Sequence, residues 1–381
     1  MTQAPFARSA SLALLTIGII SGFIPALQGT LLPQLVKEGR LTLAELGQVA
    51  MAEAIGTLLA VSVANAVLRP HRLKLYVLVS ALIGLALDLL TARLTGQAIL
   101  AARFGHGVCA GILLWIWVGF LTRSDNPGRW VAIYVTAQAL TLLILSAWFS
   151  AMVLPQGGAA AGFAIVAALY GLIAFLALCV PGSFAPLAHG NGSIRPTALG
   201  LLGLFGVFAQ LAAILATWVY IKSYGKQIGL DEATTGFAVS VAMGVQIIAG
   251  LLATVLAGRV RNTPMILLAV VASLASLALL ITAQTTTPFI VGTAAFAFFW
   301  MLGPPFHMPY LIDIDPSRRS AVHMTTAQLL GVAAGPALAS MAVSGEVVTG
   351  ALIVAALLYA VGGLIVGLTG LRIRQAEPVT A

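Results

Sequence analysis

The sequence predicts an all-α membrane protein with twelve transmembrane helices in two pseudo-symmetric six-helix bundles. Its 381 residues are 60% apolar and only 8% charged, whereas soluble domains are about 25% charged. The apolar residues form runs of about twenty, the length that a helix needs to cross a bilayer. They do not alternate with polar residues over ten-residue segments, which excludes a transmembrane β-barrel. So few charged residues cannot cover the surface of a soluble protein of this size, so that class is excluded as well.

Each predicted helix corresponds to one apolar run. The first run, from Ser11 to Leu32, is too long for a signal peptide, and we expect it to remain as a membrane span. The polar stretch 181–197 predicts a cytoplasmic linker between an N-terminal bundle, 1–180, and a C-terminal bundle, 198–381. The predicted spans are 11–32, 44–68, 75–95, 97–121, 130–153 and 161–180 before the linker, and 198–221, 234–257, 264–283, 288–312, 320–343 and 347–371 after it.

Orientation follows from the lysine and arginine residues, which favour the cytoplasmic side of a membrane. With the N-terminus inside, thirteen of the 19 basic residues fall on the inner side, five on the outer side, and Arg103 within a helix. The sequence therefore predicts a multi-pass protein of the inner (plasma) membrane with both termini in the cytoplasm. The net charge of +8 lies in short clusters between the apolar runs, which argues against nucleic acid as a partner.

The two halves of the chain carry a repeat at an offset of 190 residues. Internal repeats of this kind are typical of membrane transporters. Two loop segments that contain Asp and Arg correspond, and we expect them at equivalent places on the cytoplasmic rim, where they would form a gate. The corresponding residues are Asp125 and Asp315, Arg129 and Arg319, Thr136 and Thr326, and Gln138 and Gln328.

Helix 4 contains the motif Arg103-Phe-Gly-His106-Gly107-Val-Cys-Ala-Gly111. It resembles the helix-4 motif of the major facilitator superfamily, an Arg followed by Gly at +4 and +8, although that family usually has Gln where His106 stands. The loop between helices 2 and 3 keeps the basic part of the family's signature and lacks its Gly and Asp. The Gly-Pro motif of drug/proton antiporters is absent from helix 5. The resemblance implies secondary transport by alternating access, with a site near the midplane between the halves.

Three charged residues lie within predicted spans, where charge is costly and usually functional: Glu53, Asp88 and Arg103. Asp88 and Arg103 lie at similar depths, roughly 10 Å from the outer ends of adjacent helices. We expect them to form an ion pair, which is either a structural lock or a gating and coupling pair. Alternatively, Asp88 binds Arg93 near the membrane surface.

Glu53 lies roughly 13 Å into helix 2, close to the bilayer midplane. Helix 2 has no basic residue at i±4 from it, so we predict an unpaired carboxyl that tends to be protonated. Such a group suits a proton-coupled transporter. The alternatives are a neutral Glu53 that is hydrogen-bonded to a neighbouring helix, or a Glu53 that pairs with Arg103.

Arg103 and His106 share one face of helix 4 by their i,i+3 spacing, which favours an anionic group on the substrate. His307 follows two prolines that break helix 10, so it either faces a cavity or marks a kink. His106 is alternatively a packed residue bound to a backbone carbonyl. The predicted substrate-binding residues are Arg103, His106, Gln28, Gln138, Gln210, Trp218, Gln246, Trp300, His307 and Gln328.

These features predict a proton-coupled secondary transporter for a small organic solute, an organic anion or aromatic acid. The alternatives are an efflux antiporter for apolar compounds, a copper importer that uses His307-Met308 and His323-Met324, or a non-transporting scaffold. The sequence contains no nucleotide-binding loop, metalloprotease motif or nucleophile elbow, and we predict neither an enzyme nor a cofactor or metal site. The expected partners are the solute, protons and the lipid bilayer, and the expected state is a monomer.

Overall fold

The computed structural model describes residues 6–185, 195–344 and 347–376. Most of the predicted linker lies outside these residues. Thirteen α-helices make up the described chain, and its only β-type pairing is one isolated bridge between Ser344 and Val347. The helices are α1 (Arg8–Lys37), α2 (Leu43–Val67), α3 (Leu73–Thr91), α4 (Gln97–Leu121), α5 (Pro127–Trp148), α6 (Leu154–Leu176), α7 (Ala198–Gln227), α8 (Glu232–Leu256), α9 (Asn262–Thr282), α10 (Thr286–Leu302), α11 (His307–Ile314), α12 (Met324–Ser340) and α13 (Thr349–Ala376).

The all-helical fold is confirmed, whereas the number of spans stays a prediction. Within the described residues, nine stretches are long and apolar enough to cross a membrane. The two predicted spans 130–153 and 161–180 fall in one 50-residue helical stretch, Pro127–Leu176. α1 contains the shorter apolar segment Arg8–Ile24, and α12 has 17 residues. Twelve crossings would require α1 and α12 to span and the 50-residue stretch to cross twice.

Prolines and glycines explain where the helices depart from the predicted bounds. The break predicted in helix 10 is present: α10 ends at Leu302, and a 3-10 turn, Pro304–Phe306, separates it from α11. Proline has no backbone N–H and its ring collides with the preceding turn, so a helix cannot continue unchanged through this segment. Between α5 and α6 a π-helical turn, Phe149–Val153, keeps the stretch helical, and Gly158 interrupts it at φ 61°.

The chain divides into two compact units. The first unit is Met1–Asp125 with Ala137–Pro186, and the second is Asn126–Thr136 with Leu187–Ala381. Within the first unit α4 packs on α2 and α3, and α6 packs on α1 and α3. Within the second unit α10 packs on α8 and α9, and α13 packs on α7 and α9. When α10 and α11 are counted as one broken helix, each packing pair in the second unit corresponds to a pair six helices earlier in the first unit. A duplication of a six-helix unit predicts this correspondence.

Glycines allow the backbones of α2 and α4 to touch in the first unit. A Cβ atom at Gly107 would overlap the carbonyl oxygen of Glu53, and one at Gly56 would overlap that of Phe104. A Cβ at Gly111 would lie 2.5 Å from the carbonyl oxygen of Thr57. Only glycine fits at these three positions, because every other residue would push the helices apart. The close contact brings the side chain of Glu53 beside α4.

Candidate functional site: a buried charge cluster in the first unit

Four ionisable side chains from three helices meet inside the first unit. Glu53 comes from α2, Asp88 from α3, and Arg103 and His106 from α4. Each residue is at most 1% exposed. Burial of several charged groups is expensive unless they neutralise and hydrogen-bond one another. The term charge cluster denotes these four residues below.

Arg103 links the two acidic residues. Its Nε atom donates to Oε2 of Glu53 at 2.9 Å, and its Nη2 atom forms an ion pair with the same oxygen at 2.7 Å. Its Nη1 atom donates to Oδ1 of Asp88 at 2.6 Å. The predicted ion pair between Asp88 and Arg103 is therefore present in the structure. The guanidinium group also lies 5.6 Å from the centre of the Phe163 ring, within the range of a cation–π contact.

The prediction that Glu53 is an unpaired carboxyl was wrong. The search for a partner considered only basic residues one helical turn away on α2, whereas the partners are Arg103 and His106 on α4. The glycine contacts between α2 and α4 place these side chains side by side. The alternative that Glu53 pairs with Arg103 describes what the structure has.

His106 lies between the two carboxylates and is not bound to a backbone carbonyl. Its Nδ1 atom is 2.9 Å from Oε1 of Glu53, and its Nε2 atom is 3.4 Å from Oδ2 of Asp88. The Nδ1 atom also lies 3.1 Å from Nη2 of Arg103. The imidazole ring therefore touches every other member of the charge cluster.

Tyr170 of α6 completes the surroundings of His106, and the sequence analysis did not identify it. Its ring packs edge-on to the imidazole ring with the centroids 4.8 Å apart. Gly84 of α3 makes room for the ring, because a Cβ there would overlap it. Among the described residues, the hydroxyl of Tyr170, Oδ2 of Asp88 and Nε2 of His106 have no hydrogen-bond partner. The signal in the sequence was a single tyrosine in the otherwise apolar helix 6.

The charges of the cluster do not balance without an additional proton. Two carboxylates and one guanidinium group sum to one negative charge if His106 is neutral. A buried net charge is unfavourable, and one additional proton makes the cluster neutral. Arg103 thus binds both carboxylates and also contacts Nδ1 of His106. Binding of an anionic substrate by Arg103 and His106 stays a prediction.

A second set of predicted residues meets in the second unit. Nε2 of His307 lies 3.2 Å from Oε1 of Gln210, and both side chains are buried. The rings of Trp218 and Trp300 lie with their centroids 5.1 Å apart. Both contacts join α7 to the broken helix formed by α10 and α11. Among the described residues, Nδ1 of His307 and the amide nitrogens of Gln210 and Gln246 have no hydrogen-bond partner.

The remaining predicted substrate residues lie on α1, α5 and α12. Gln28 is buried in α1, Gln138 is half-buried in α5 and Gln328 is half-buried in α12. A cavity of about 480 Å³ opens in the first unit beside Thr30 and Lys37, and it contains none of the predicted site residues. Within the described chain no group of three His, Cys, Asp or Glu residues could hold a metal ion.

The predicted gate residues sit at the ends of helices. Asp125 is exposed just before α5, and the backbone N–H of Arg129 donates to Oδ1 of Asn126 at 3.1 Å. The carboxylate of Asp315 accepts hydrogen bonds from Ser317 and Ser320 at the end of α11. Burial disfavours ionisation of Asp315, but these hydrogen bonds outweigh it and hold the pKa of the carboxyl below its usual value. The equivalence of Arg129 with Arg319 and the gating role of both stay predictions.

The fold is similar to those of solved transporters, although no family model and no curated protein sequence matches the chain. FucP, a major facilitator superfamily transporter in the outward conformation, is 15% identical, with a TM-score of 0.77 over 95% of this chain and 99% of that chain. A structure of the E. coli fucose:proton symporter FucP gives 0.76 at 14% identity, over 94% and 98%. The proton:xylose symporter XylE, bound to 6-bromo-6-deoxy-D-glucose, gives 0.72 at 14% identity, over 97% and 95%. At these identities the likeness establishes the fold.

Proposed function

The chain has the fold of the major facilitator superfamily of transporters, and from that premise we propose that it is a secondary transporter that couples the movement of a small solute to protons. The observation that carries this proposal is the charge cluster, in which two buried carboxylates face one guanidinium group and one imidazole. A scaffold would gain nothing from so costly an arrangement, whereas a proton-coupled transporter needs a buried group that gains and loses a proton.

Coupling follows from the balance of charge. With its extra proton the cluster is neutral and stays buried without a net charge. Without that proton it carries one negative charge, which favours a conformation in which water reaches the cluster. The proton therefore decides which conformation is more stable. Because protonation and solute binding act on the same conformational equilibrium, a gradient of either one can drive transport of the other.

We further propose that the solute is neutral and bears hydroxyl groups, in place of the organic anion expected from the sequence. Among the described residues Arg103 is the one buried arginine, and its partners are Glu53, Asp88 and His106. By sequence, α7 to α13 contain no charged side chain in their middle parts. The polar groups left for a solute are uncharged: the pair formed by His307 and Gln210, and the amide of Gln246. An amide donor beside an imidazole acceptor suits a hydroxyl group, and the Trp218–Trp300 pair offers an apolar surface. FucP is a fucose:proton symporter and XylE a proton:xylose symporter, and sugars of this kind agree with the proposed substrate class.

The test has a binding step and a transport step. Purified protein is screened by thermal shift against fucose and xylose, and against benzoate and lactate as aromatic and aliphatic anions. A compound that stabilises the protein is then offered to proteoliposomes with and without a pH gradient. We expect a neutral sugar to bind and the gradient to drive its accumulation. Stabilisation by the anions alone would refute the neutral substrate, and uptake unaffected by the gradient would refute the coupling.

Asp88→Asn is the informative variant for the coupling. It removes one carboxylate, so the cluster becomes neutral without an extra proton and has none to exchange. We expect it to keep solute exchange and to lose accumulation driven by the pH gradient. His71→Gln is the matched control, because His71 is an exposed residue between α2 and α3 and lies outside the charge cluster. Equal accumulation by Asp88→Asn and the control would contradict the proposal.

A further inference from the structure

We propose that His106 carries the transported proton, held between Nε2 of its ring and Oδ2 of Asp88. This inference rests on the proposed function and deepens it, because it assigns the proton to one residue and one atom. The sequence had pointed to Glu53 as the group that binds the proton, and to Asp88 with Arg103 as a structural lock or a gating and coupling pair.

The contacts of the imidazole ring require more than one hydrogen atom. Both ring nitrogens face a carboxylate oxygen, Nδ1 at 2.9 Å from Glu53 and Nε2 at 3.4 Å from Asp88. A neutral imidazole carries a hydrogen on one nitrogen only and would turn the lone pair of the other towards a carboxylate. With a hydrogen on each nitrogen, both contacts become attractive. The geometry is therefore that of an imidazolium ion between two carboxylates.

Glu53 is a poorer place for the extra proton than His106. Its Oε2 atom accepts a hydrogen bond from Nε of Arg103 at 2.9 Å and forms an ion pair with Nη2 of Arg103 at 2.7 Å. Both contacts stabilise the ionised carboxylate. Nη2 of Arg103 is also within hydrogen-bond distance of Nδ1 of His106, at 3.1 Å. The contact between Nδ1 and Oε1 of Glu53 is shorter, at 2.9 Å, and its acceptor is charged, so we assign the Nδ1 hydrogen to this contact.

The side of the ring that faces Asp88 is the side from which the proton leaves. The Nε2 contact is 0.5 Å longer than the Nδ1 contact, and neither Nε2 nor Oδ2 has a hydrogen-bond partner among the described residues. On release, the Nε2–H bond breaks, Oδ2 of Asp88 takes the proton, and water removes it when the cluster is hydrated. The cluster then holds one negative charge, and the reverse sequence restores neutrality.

The elements around α4 bring few charged groups towards His106. α2 contributes Glu53, α3 contributes Asp88, and α4 itself contributes Arg103. α6 adds the phenol of Tyr170, whose ring lies edge-on to the imidazole. In α1 the charged residues stand only at the two ends of the helix. No other ionisable side chain on these elements is within bonding reach of the ring among the described residues.

The direct test is ¹⁵N NMR of the full-length protein labelled in its histidine rings, recorded at pH 8. That pH is above the usual titration point of histidine, about pH 6.5. The chain has five histidines, and comparison with His106→Gln assigns the resonances of His106. Gln is the residue that the helix-4 motif of the superfamily usually has here, so this variant should fold. We expect the resonances that disappear in His106→Gln to have the chemical shifts of an imidazolium ion. Chemical shifts of a neutral imidazole would overturn the proposal.

Two further variants separate a proton carrier from a structural histidine. In Asp88→Asn the cluster is neutral without the extra proton, so the His106 resonances should change to those of a neutral ring at pH 8. An imidazolium ion that persists in this variant would overturn the assignment to the Nε2–Oδ2 contact. His307→Gln is the spectroscopic control, because His307 is equally buried but contacts the uncharged Gln210. It should remove the resonances of a neutral ring.

The transport readout is independent of the spectra. In proteoliposomes, His106→Gln should keep solute exchange and lose accumulation driven by a pH gradient. Undiminished accumulation would overturn the proposal. If the proposed function fails, the wild-type protein itself transports solute without protons, and this result does not depend on the NMR spectra. The two failures are therefore distinguishable.

Discussion

Replacement of Arg103 by Met should be the most destabilising single change in the charge cluster. It leaves two carboxylates in the protein interior with only His106 to neutralise them. Arg103 makes two hydrogen bonds to these carboxylates, at 2.9 and 2.6 Å, and a further ion-pair contact at 2.7 Å. Bonds to charged groups contribute about 1.5–3 kcal/mol each, but they are not additive when they share a network. We therefore expect a loss of about 3–5 kcal/mol, the usual cost of breaking a buried ion pair.

The assay is the free energy of unfolding, obtained by titration with a denaturing detergent in mixed micelles. Arg103→Lys is the matched control: it keeps the charge and loses the planar fork, so its loss should be smaller. Adding Glu53→Gln to Arg103→Met removes one stranded carboxylate and should recover at least about 1 kcal/mol. The reasoning would be refuted by a loss below about 1 kcal/mol for Arg103→Met, or by a double variant less stable than the single one.

The other predictions concern helix packing, acid stability and the phenol beside His106. Gly56→Ala should cost about 1–3 kcal/mol, because its Cβ overlaps α4. Gly47→Ala in the same helix meets nothing within 4 Å and should be neutral or stabilising in the same titration. The lowered pKa of Asp315 means that its stabilising effect is complete above about pH 4 and is lost as the pH falls through the folded-state value. Ser320→Ala should therefore raise the midpoint pH of acid unfolding, and an unchanged midpoint would refute this account of Asp315. Tyr170→Phe keeps the ring and removes only the hydroxyl, so thermal unfolding should show less than about 1 kcal/mol of loss; a larger loss would mean that the hydroxyl is hydrogen-bonded.

The sequence was sufficient to predict features that depend on composition and local chemistry. The membrane class followed from the scarcity of charge, and the break in helix 10 followed from the prolines around Gly303. The pairing of Asp88 with Arg103 followed from their equal depth on adjacent helices joined by a short loop. In each case the relevant distance is measured along the chain or along a single helix.

Features that depend on contacts between distant helices could not be predicted in the same way. Glu53 pairs with Arg103 because three glycines let α2 and α4 touch, and nothing in the sequence shows which helices touch. Tyr170 lies 64 positions beyond His106 in the sequence, and only packing of α6 brings the two rings together. The anionic substrate was inferred from Arg103 as though it were free, whereas the structure pairs Arg103 with Glu53 and Asp88.

The central claim is that the charge cluster exchanges one proton for each solute molecule moved. The most direct measurement is the ratio of proton flux to solute flux in proteoliposomes that contain the wild-type protein, with the sugar that stabilises it most in the thermal-shift screen. A pH-sensitive dye reports the protons and a radiolabel reports the solute. A ratio of one, reduced to zero in Asp88→Asn, is the result we predict. Solute flux without any proton flux in the wild-type protein would contradict the account.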